Sequence, residues 1–159
     1  MSEEEFYTFQ QYMKKDMAIT ASMQDYLEMI YRLSQNNGYT RLYDLAAALN
    51  IQPPSATRMV QKLAKLALVD YKKYGVIALT EEGKQMGSFL LARHLTIQTF
   101  LQLIGITEGL LEETEKIEHT INSPTLQALR KLVDFFQTRP ETLQELQDYM
   151  KIVEASKES

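Results

Sequence analysis

The feature that most restricts the fold of this 159-residue chain is a pair of prolines that follows a short turn between two amphipathic segments. Proline has no backbone N–H to donate within a helix, but the first helical turn tolerates it because that group has no partner there. Pro53 and Pro54 therefore predict the start of a helix that continues to residue 67. The tight turn at residues 50–52 joins this helix to a shorter amphipathic helix at residues 42–49.

The flanking segments extend this helix pair into a winged helix-turn-helix. Before it, apolar residues at helical spacing predict a helix with Ser22 as its N-cap and an end near Gly38. After it, β-type runs at residues 68–71 and 76–79 are joined by a turn that contains glycine, which predicts a hairpin, the wing. In such a unit the helix that starts at Pro53 lies in the major groove of DNA, and the hairpin tip lies against the phosphate backbone.

The rest of the chain has a helical pattern. Thr80 is the predicted N-cap of a long helix that ends at Gly105, and a further helix is predicted to start at Thr107. Two more helical segments follow, at residues 125–137 and from residue 141 to residue 155. We therefore expect a mainly α chain, with an N-terminal winged helix-turn-helix that carries a small β-hairpin wing, followed by an all-α dimerisation domain.

These patterns divide the chain into three parts. Residues 1–21 are an N-terminal extension of unknown role, residues 22–83 the DNA-binding domain, and residues 84–159 the connecting helix with the helical dimerisation and metal-binding domain. Four apolar residues of the extension have helical spacing, which fits a packed helix or a frayed arm equally well: Phe6, Phe9, Met13 and Met17.

A homodimer is the expected assembly, because C2 pairing is the common arrangement for a protein that reads a palindrome. Its interface would bury apolar residues of the helix that starts at Thr107, although an intramolecular core could use the same side chains. These residues are Leu110, Leu111, Ile117 and Ile121.

The charge distribution favours double-stranded DNA as a partner even though the chain carries a net charge of −4. Residues 41–75 contain six of the 17 basic residues and only two of the 21 acidic ones, a local charge of +4. A localised basic surface binds phosphates, while an acidic remainder limits indiscriminate contact with nucleic acid. A purely structural helical unit is the alternative for this segment.

Composition also excludes several classes of protein. No run approaches the roughly 20 apolar residues that a membrane-spanning helix needs, and the acidic N-terminus lacks the features of a secretory signal. With no cysteine, the chain has no disulfides, and a metal site must use oxygen and nitrogen ligands. We expect a cytoplasmic protein with no membrane partner and no small organic substrate.

Of the two histidines of the chain, His119 has acidic neighbours at helical spacing, and His94 lies in the middle of the long predicted helix. Asp25 and Glu28 share one helix face, as do Glu115, Glu118 and His119, because residues three or four apart are neighbours on a helix. With His94 these groups offer four carboxylates and two imidazoles, which suit a hard or borderline divalent ion. Solvated acidic side chains and histidines that are not ligands remain the alternative.

An enzyme is the third hypothesis and the weakest. A di-iron helical bundle uses Glu-x-x-His pairs, but the spacing from Glu115 to His119 is one residue longer, and no second pair of that kind exists. The HExxH motif of zinc hydrolases is absent as well. We therefore expect no enzymatic activity.

Several motifs resemble the manganese-responsive members of the diphtheria-toxin-repressor family of metal-dependent transcriptional regulators. The similarity runs from Ser22 to about Phe136. The motifs are Ser22-Met23-Gln24-Asp25-Tyr26-Leu27-Glu28, Gly38-Tyr39-Thr40-Arg41, Thr57-Arg58-Met59-Val60-Gln61-Lys62-Leu63, Leu79-Thr80-Glu81-Glu82-Gly83, Arg93-His94 and Ile117-Glu118-His119.

The resemblance implies a binuclear metal site, because ligand residues fill all six of the family's positions: Asp25, Glu28, His94, Glu115, Glu118 and His119. It also implies a DNA-binding region formed by Arg41, Ser55, Thr57, Arg58, Gln61 and Lys62 together with the wing residues Lys72, Lys73 and Tyr74. The implied function is repression of manganese uptake genes through a palindromic operator when the site is occupied.

The resemblance also bears on which metal is bound. Iron-responsive members of the family have methionine and cysteine where this chain has Asp25 and Glu115, and carboxylate oxygen in place of sulfur favours Mn²⁺. We expect two Mn²⁺ ions per chain, with Fe²⁺, Co²⁺, Cd²⁺ and Zn²⁺ as alternative ions for the same ligands. A winged-helix regulator that responds to another divalent metal or to a small molecule is the second hypothesis.

Overall fold

The computed structural model describes residues 19–157, which form helices and one small sheet. The chain divides into two compact units, Met1–Ala92 and Arg93–Ser159. The apolar periodicity of the first 18 residues lies outside the described residues. None of the helices within residues 19–157 is long and apolar enough to cross a membrane.

The first unit begins with helix α1, Ala21–Leu33. Its N-cap is Thr20, whose extended backbone lets the side-chain Oγ1 accept a hydrogen bond from the backbone N–H of Met23 at 3.2 Å. The prediction that Ser22 caps this helix is therefore wrong by two residues, because Ser22 already lies within the first turn. Gly38 follows with a positive φ of 76° and ends the turn after the helix.

The helix-turn-helix is formed by α2, Leu42–Ala48, and α3, Pro53–Lys65. The prolines occupy the first turn of α3, as predicted. Asn50 has a left-handed backbone conformation, and the next amide, that of Ile51, donates to the Ala46 carbonyl at 3.0 Å, which ends α2 sharply. Both helices bury one apolar face, so the other face of α3 is left to solvent.

Three short antiparallel strands complete the first unit: β1 at Thr40–Arg41, β2 at Val69–Tyr71 and β3 at Val76–Leu79. Their order in the sheet is β1-β3-β2, so β2 and β3 form the predicted hairpin. The hairpin turn is a 3₁₀ turn at Lys73–Gly75. β1 was not predicted, because two residues are too few to show alternation; it pairs with β3 through Thr40 opposite Ile77.

Helix α4, Glu81–Leu103, follows the sheet, and the division between the two units falls within it. Thr80 caps it as predicted, since its Oγ1 accepts from the Gly83 amide at 3.0 Å. The same hydroxyl donates to the Ala67 carbonyl at 2.7 Å and so ties the start of the helix to the loop before β2.

The second unit contains the end of α4 and three further helices: α5 at Leu110–Glu118, α6 at Ser123–Gln137 and α7 at Pro140–Lys157. The prediction that a helix starts at Thr107 is wrong, because Gly109 has a left-handed backbone and holds the preceding residues outside α5. Helix α6 starts two residues earlier than predicted, capped by the Asn122 side chain. The predicted fold class is confirmed.

Candidate metal centre and nucleic-acid interface

Helix α3 presents one polar and basic face to solvent. Its buried face consists of Ala56, Val60 and Leu63. On the opposite side the predicted DNA-contacting residues are exposed: Ser55, Arg58, Gln61 and Lys62. Lys65, one turn beyond Gln61, lies on the same face and was not among the predicted contacts, although the spacing of four residues places it there.

Thr57 has a different position from the other predicted contacts of α3. It is half-buried at the edge of the face, and its hydroxyl donates to the Pro53 carbonyl at 3.1 Å. This bond occupies the hydroxyl proton, so Thr57 has an acceptor lone pair and a methyl group to offer to a base edge.

The wing and its neighbour β1 carry the remaining predicted contacts. Lys72, Lys73 and Tyr74 are all exposed, and Tyr74 is 90% accessible. The tip is held by the Lys72 amide, which donates to the Val76 carbonyl at 2.8 Å. Arg41 is exposed on β1 and lies opposite Val76 in the sheet, so it extends the basic surface beside the wing.

The second unit brings two of the predicted metal ligands into direct contact. His94 on α4 and Glu118 at the end of α5 are buried, with relative exposures of 5% and 3%. The His94 Nδ1 lies 2.9 Å from the Glu118 Oε2, and the Nε2 of His119 lies 3.7 Å from the other carboxylate oxygen, Oε1. Glu118 therefore stands between the two imidazoles.

This arrangement fits a divalent cation. A buried carboxylate is costly unless a positive charge compensates it, and a neutral imidazole is a common metal ligand. Glu118 is the last residue of α5 and His119 is its C-cap, and the helix dipole favours cations at this end of a helix. Oxygen and nitrogen donors of this kind suit first-row divalent ions better than soft metals.

Other acidic residues of α5 are already paired on its surface. The Lys116 ammonium lies 2.8 Å from Glu112 and 3.2 Å from Glu113. The hydrogen bond and charge of Lys116 lower the pKa of the Glu112 carboxyl, and both carboxylates raise the pKa of Lys116. The predicted ligand Glu115 is also exposed, and it lies about one helical turn before Glu118.

The two predicted ligands of the first unit are on α1. Asp25 is exposed, and Glu28 is half-buried with its Oε2 2.9 Å from the Arg32 guanidinium. This ion pair was not predicted, although a spacing of four residues is typical of such pairs on a helix. In the same helix, burial raises the pKa of the Tyr26 phenol above its usual value. That all six residues bind metal together stays a prediction.

Two family models match the chain, one for each predicted activity. Residues 18–77 match the model described as iron dependent repressor, N-terminal DNA binding domain. Residues 80–147 match the model described as iron dependent repressor, metal binding and dimerisation domain. The chain belongs to the iron-dependent repressor family. This membership confirms the resemblance to the diphtheria-toxin-repressor family and the expectation that the chain is a regulator and not an enzyme.

Individual relatives agree with the family assignment. The HTH-type transcriptional regulator MntR of Geobacillus kaustophilus is 40% identical over 133 residues, which are 83% of this chain and 94% of that protein. Among solved structures, the manganese regulator SloR is 30% identical with a TM-score of 0.62, covering 71% of this chain and 54% of that one. ScaR with bound Zn²⁺ is 31% identical with a TM-score of 0.60, covering 71% and 54%. The chain thus spans about half the length of these two solved family members.

Proposed function

We propose that this member of the iron-dependent repressor family is a Mn²⁺-activated homodimeric repressor, which binds palindromic operator DNA and controls manganese uptake genes. The observation that carries the proposal is the buried Glu118 carboxylate between the imidazoles of His94 and His119. The names of the relatives support the choice of ion: SloR is called a manganese regulator and ScaR a manganese-activated repressor.

The ligand set of this proposal comprises the six residues that the sequence predicts: Asp25, Glu28, His94, Glu115, Glu118 and His119. Their carboxylate oxygens and imidazole nitrogens would hold the divalent ions, two per chain in this proposal. A bound divalent ion supplies the positive charge that offsets the mutual repulsion of the four carboxylates. These side chains come from α1, α4 and α5, so occupancy restrains three helices that are far apart in sequence.

The ligand chemistry favours Mn²⁺ without excluding other ions. Carboxylate oxygens at Asp25 and Glu115, in place of sulfur, weaken the binding of softer metals relative to Mn²⁺. ScaR has been solved with Zn²⁺ and with Cd²⁺, so a protein of this family accepts ions other than manganese in a crystal. Selectivity then depends on coordination geometry and on the ions available, since Mn²⁺ stands low in the general affinity order.

DNA recognition in this proposal uses α3 for base edges and the wing for phosphates. Arg58, Gln61 and Lys62 are long exposed donors that reach the major-groove edges of bases. In a symmetric dimer two copies of α3 must match half-sites that are about 34–36 Å apart, one turn of DNA. Metal regulates DNA binding if it favours the dimer geometry that matches these half-sites. To shift the ratio of matching to non-matching dimers from 1:99 to 99:1, the metal must bind the matching form more tightly by about 5.5 kcal/mol. We place this activity in the cytoplasm, where bacterial operator DNA is found.

One experiment tests the function as a whole. Duplexes enriched from a random-sequence pool by the Mn²⁺-loaded protein are used in gel shifts with Mn²⁺, Fe²⁺, Zn²⁺ or excess chelator. We expect a shifted palindromic duplex with Mn²⁺ and loss of the complex with chelator. Binding that chelator does not change would contradict metal control and leave a metal-independent winged-helix regulator.

A further inference from the structure

The proposed metal ligand Glu28 is held by a cation of its own helix. The guanidinium Nη2 of Arg32 lies 2.9 Å from the Glu28 Oε2, one helical turn away. The Glu28 side chain is 14% exposed and that of Arg32 36% exposed, so the pair lies at the edge of the protein interior. A carboxylate oxygen of the predicted ligand Glu28 is thus within bonding distance of an arginine of the same helix.

The pairing uses only part of what an arginine can offer. A guanidinium usually meets a carboxylate in a two-pronged arrangement, with two parallel N–H bonds. Here Nη2 lies 2.9 Å from the carboxylate, and the buried Nε of Arg32 has no hydrogen-bond partner among the described residues. A partly exposed ion pair is weak, and its cation is readily exchanged for another.

We propose that Arg32 competes with the metal ion for the Glu28 carboxylate and thereby raises the Mn²⁺ concentration at which the protein responds. This inference rests on the proposed function, since it takes Glu28 to be a ligand. In the metal-free protein Arg32 neutralises Glu28. Metal must then displace the guanidinium from Oε2 and tolerate a fixed positive charge beside the site. Both effects weaken metal binding, so Arg32 is a residue that positions Glu28 and sets affinity without itself being a ligand.

The test is isothermal titration of the metal-free, full-length protein with MnCl₂. Arg32→Met keeps a side chain of similar length and good helix propensity but removes the cation. We expect its dissociation constant for Mn²⁺ to be about fivefold lower than that of the wild type, which corresponds to about 1 kcal/mol. Arg32→Lys retains a cation four residues after Glu28, so its constant should return to within about twofold of the wild-type value.

Lys84→Met is the matched control, because Lys84 is an exposed cation of the same unit, and its ammonium lies 4.0 Å from the Glu81 carboxylate. It removes the same charge and should leave Mn²⁺ affinity unchanged. Circular dichroism melting of each variant establishes that the fold is intact.

The possible results separate this inference from the function on which it rests. Equal or weaker Mn²⁺ affinity in Arg32→Met, with normal binding by the wild type, overturns the competition and leaves the repressor function standing. An equal gain in Lys84→Met also overturns it, because the effect would then be one of overall charge. Absence of Mn²⁺ binding by the wild type would overturn both proposals.

Discussion

Glu118 is a buried acidic residue of the second unit that lies close to both histidines. Its carboxylate is 97% buried, in contact with His94 on one oxygen and close to His119 on the other. A charge in that position requires compensation, and a divalent ion provides more of it than an imidazole does. The cost of burying Glu118 in the metal-free protein is therefore coupled to the free energy of metal binding.

Replacement of Glu118 by glutamine should separate metal binding from folding. Glutamine has nearly the same shape but lacks the charge, so we expect Glu118→Gln to remain folded and to lose the rise in melting temperature that Mn²⁺ gives the wild type. At a hundredfold excess over the dissociation constant, that stabilisation is about 2.7 kcal/mol. Thermal melts with and without MnCl₂ measure it. Glu113→Gln, a paired surface carboxylate of the same helix, is the control, and an unchanged Mn²⁺ response in Glu118→Gln would contradict the site.

For single residues, the sequence predicted which side chains share a helix face better than it predicted which of them are buried. The spacing of Glu115, Glu118 and His119 placed them on one turn of a helix, and the structure has Glu118 and His119 close together at the end of α5. The sequence could not reveal that Glu118 is buried while Glu115 is exposed, because burial depends on how α5 packs against α4 within the second unit. The spacing of four residues between Glu28 and Arg32 is typical of an ion pair, but the pair was not among the predictions.

At the scale of elements, the start of α4 is fixed by close contact with its neighbours. Gly83 lies in its first turn, where a Cβ would fall 1.9 Å from the Leu68 carbonyl oxygen. Four residues later, at Gly87, a Cβ would fall 2.6 Å from the Tyr31 Cβ of α1. Two glycines four residues apart thus form a smooth face that lets backbone and side chains of other elements approach α4 closely.

Alanine at Gly83 should therefore destabilise the protein although alanine has the higher helix propensity. In an open helix the change would stabilise by roughly 0.5–1 kcal/mol. Here a backbone carbonyl must move, and we expect a net loss of about 2–3 kcal/mol. Urea unfolding measures the difference. Ser88→Ala, on the same helix and only half-buried, is the control, and a Gly83→Ala protein as stable as the wild type would show that the contact is relaxed at little cost.

The elements themselves were largely predictable. Prolines, caps and apolar periodicity gave α2, α3 and the two hairpin strands to within a few residues. The errors at Ser22 and Thr107 are errors of capping, since the choice between Thr20 and Ser22, or between Thr107 and Gly109, depends on backbone angles that a sequence does not display. The role of Gly83 was equally hidden, because it depends on a contact with a residue 15 positions away.

At the scale of the whole molecule, the separation of charge is the property that the sequence predicted most directly. A basic segment within an acidic chain is a feature of composition and needs no coordinates. The structure adds that the basic side chains of α3 and of the wing are exposed, as a phosphate-binding surface requires. The predicted domain boundaries stay predictions.

The wing is expected to contact phosphates and α3 to contact bases, so variants of the two should change the salt dependence of DNA affinity differently. Lys72 on the wing should contact a phosphate, so Lys72→Ala should weaken binding to every duplex and reduce the slope of log affinity against log salt concentration by about 0.9. Arg58 on α3 should read a base, so Arg58→Ala should lose about 1–3 kcal/mol on the selected duplex and much less on a random one. Fluorescence anisotropy at four salt concentrations, with Lys151→Ala on the exposed face of α7 as control, distinguishes the two effects. Equal losses on both duplexes for Arg58→Ala would show that α3 holds the backbone and does not read the sequence.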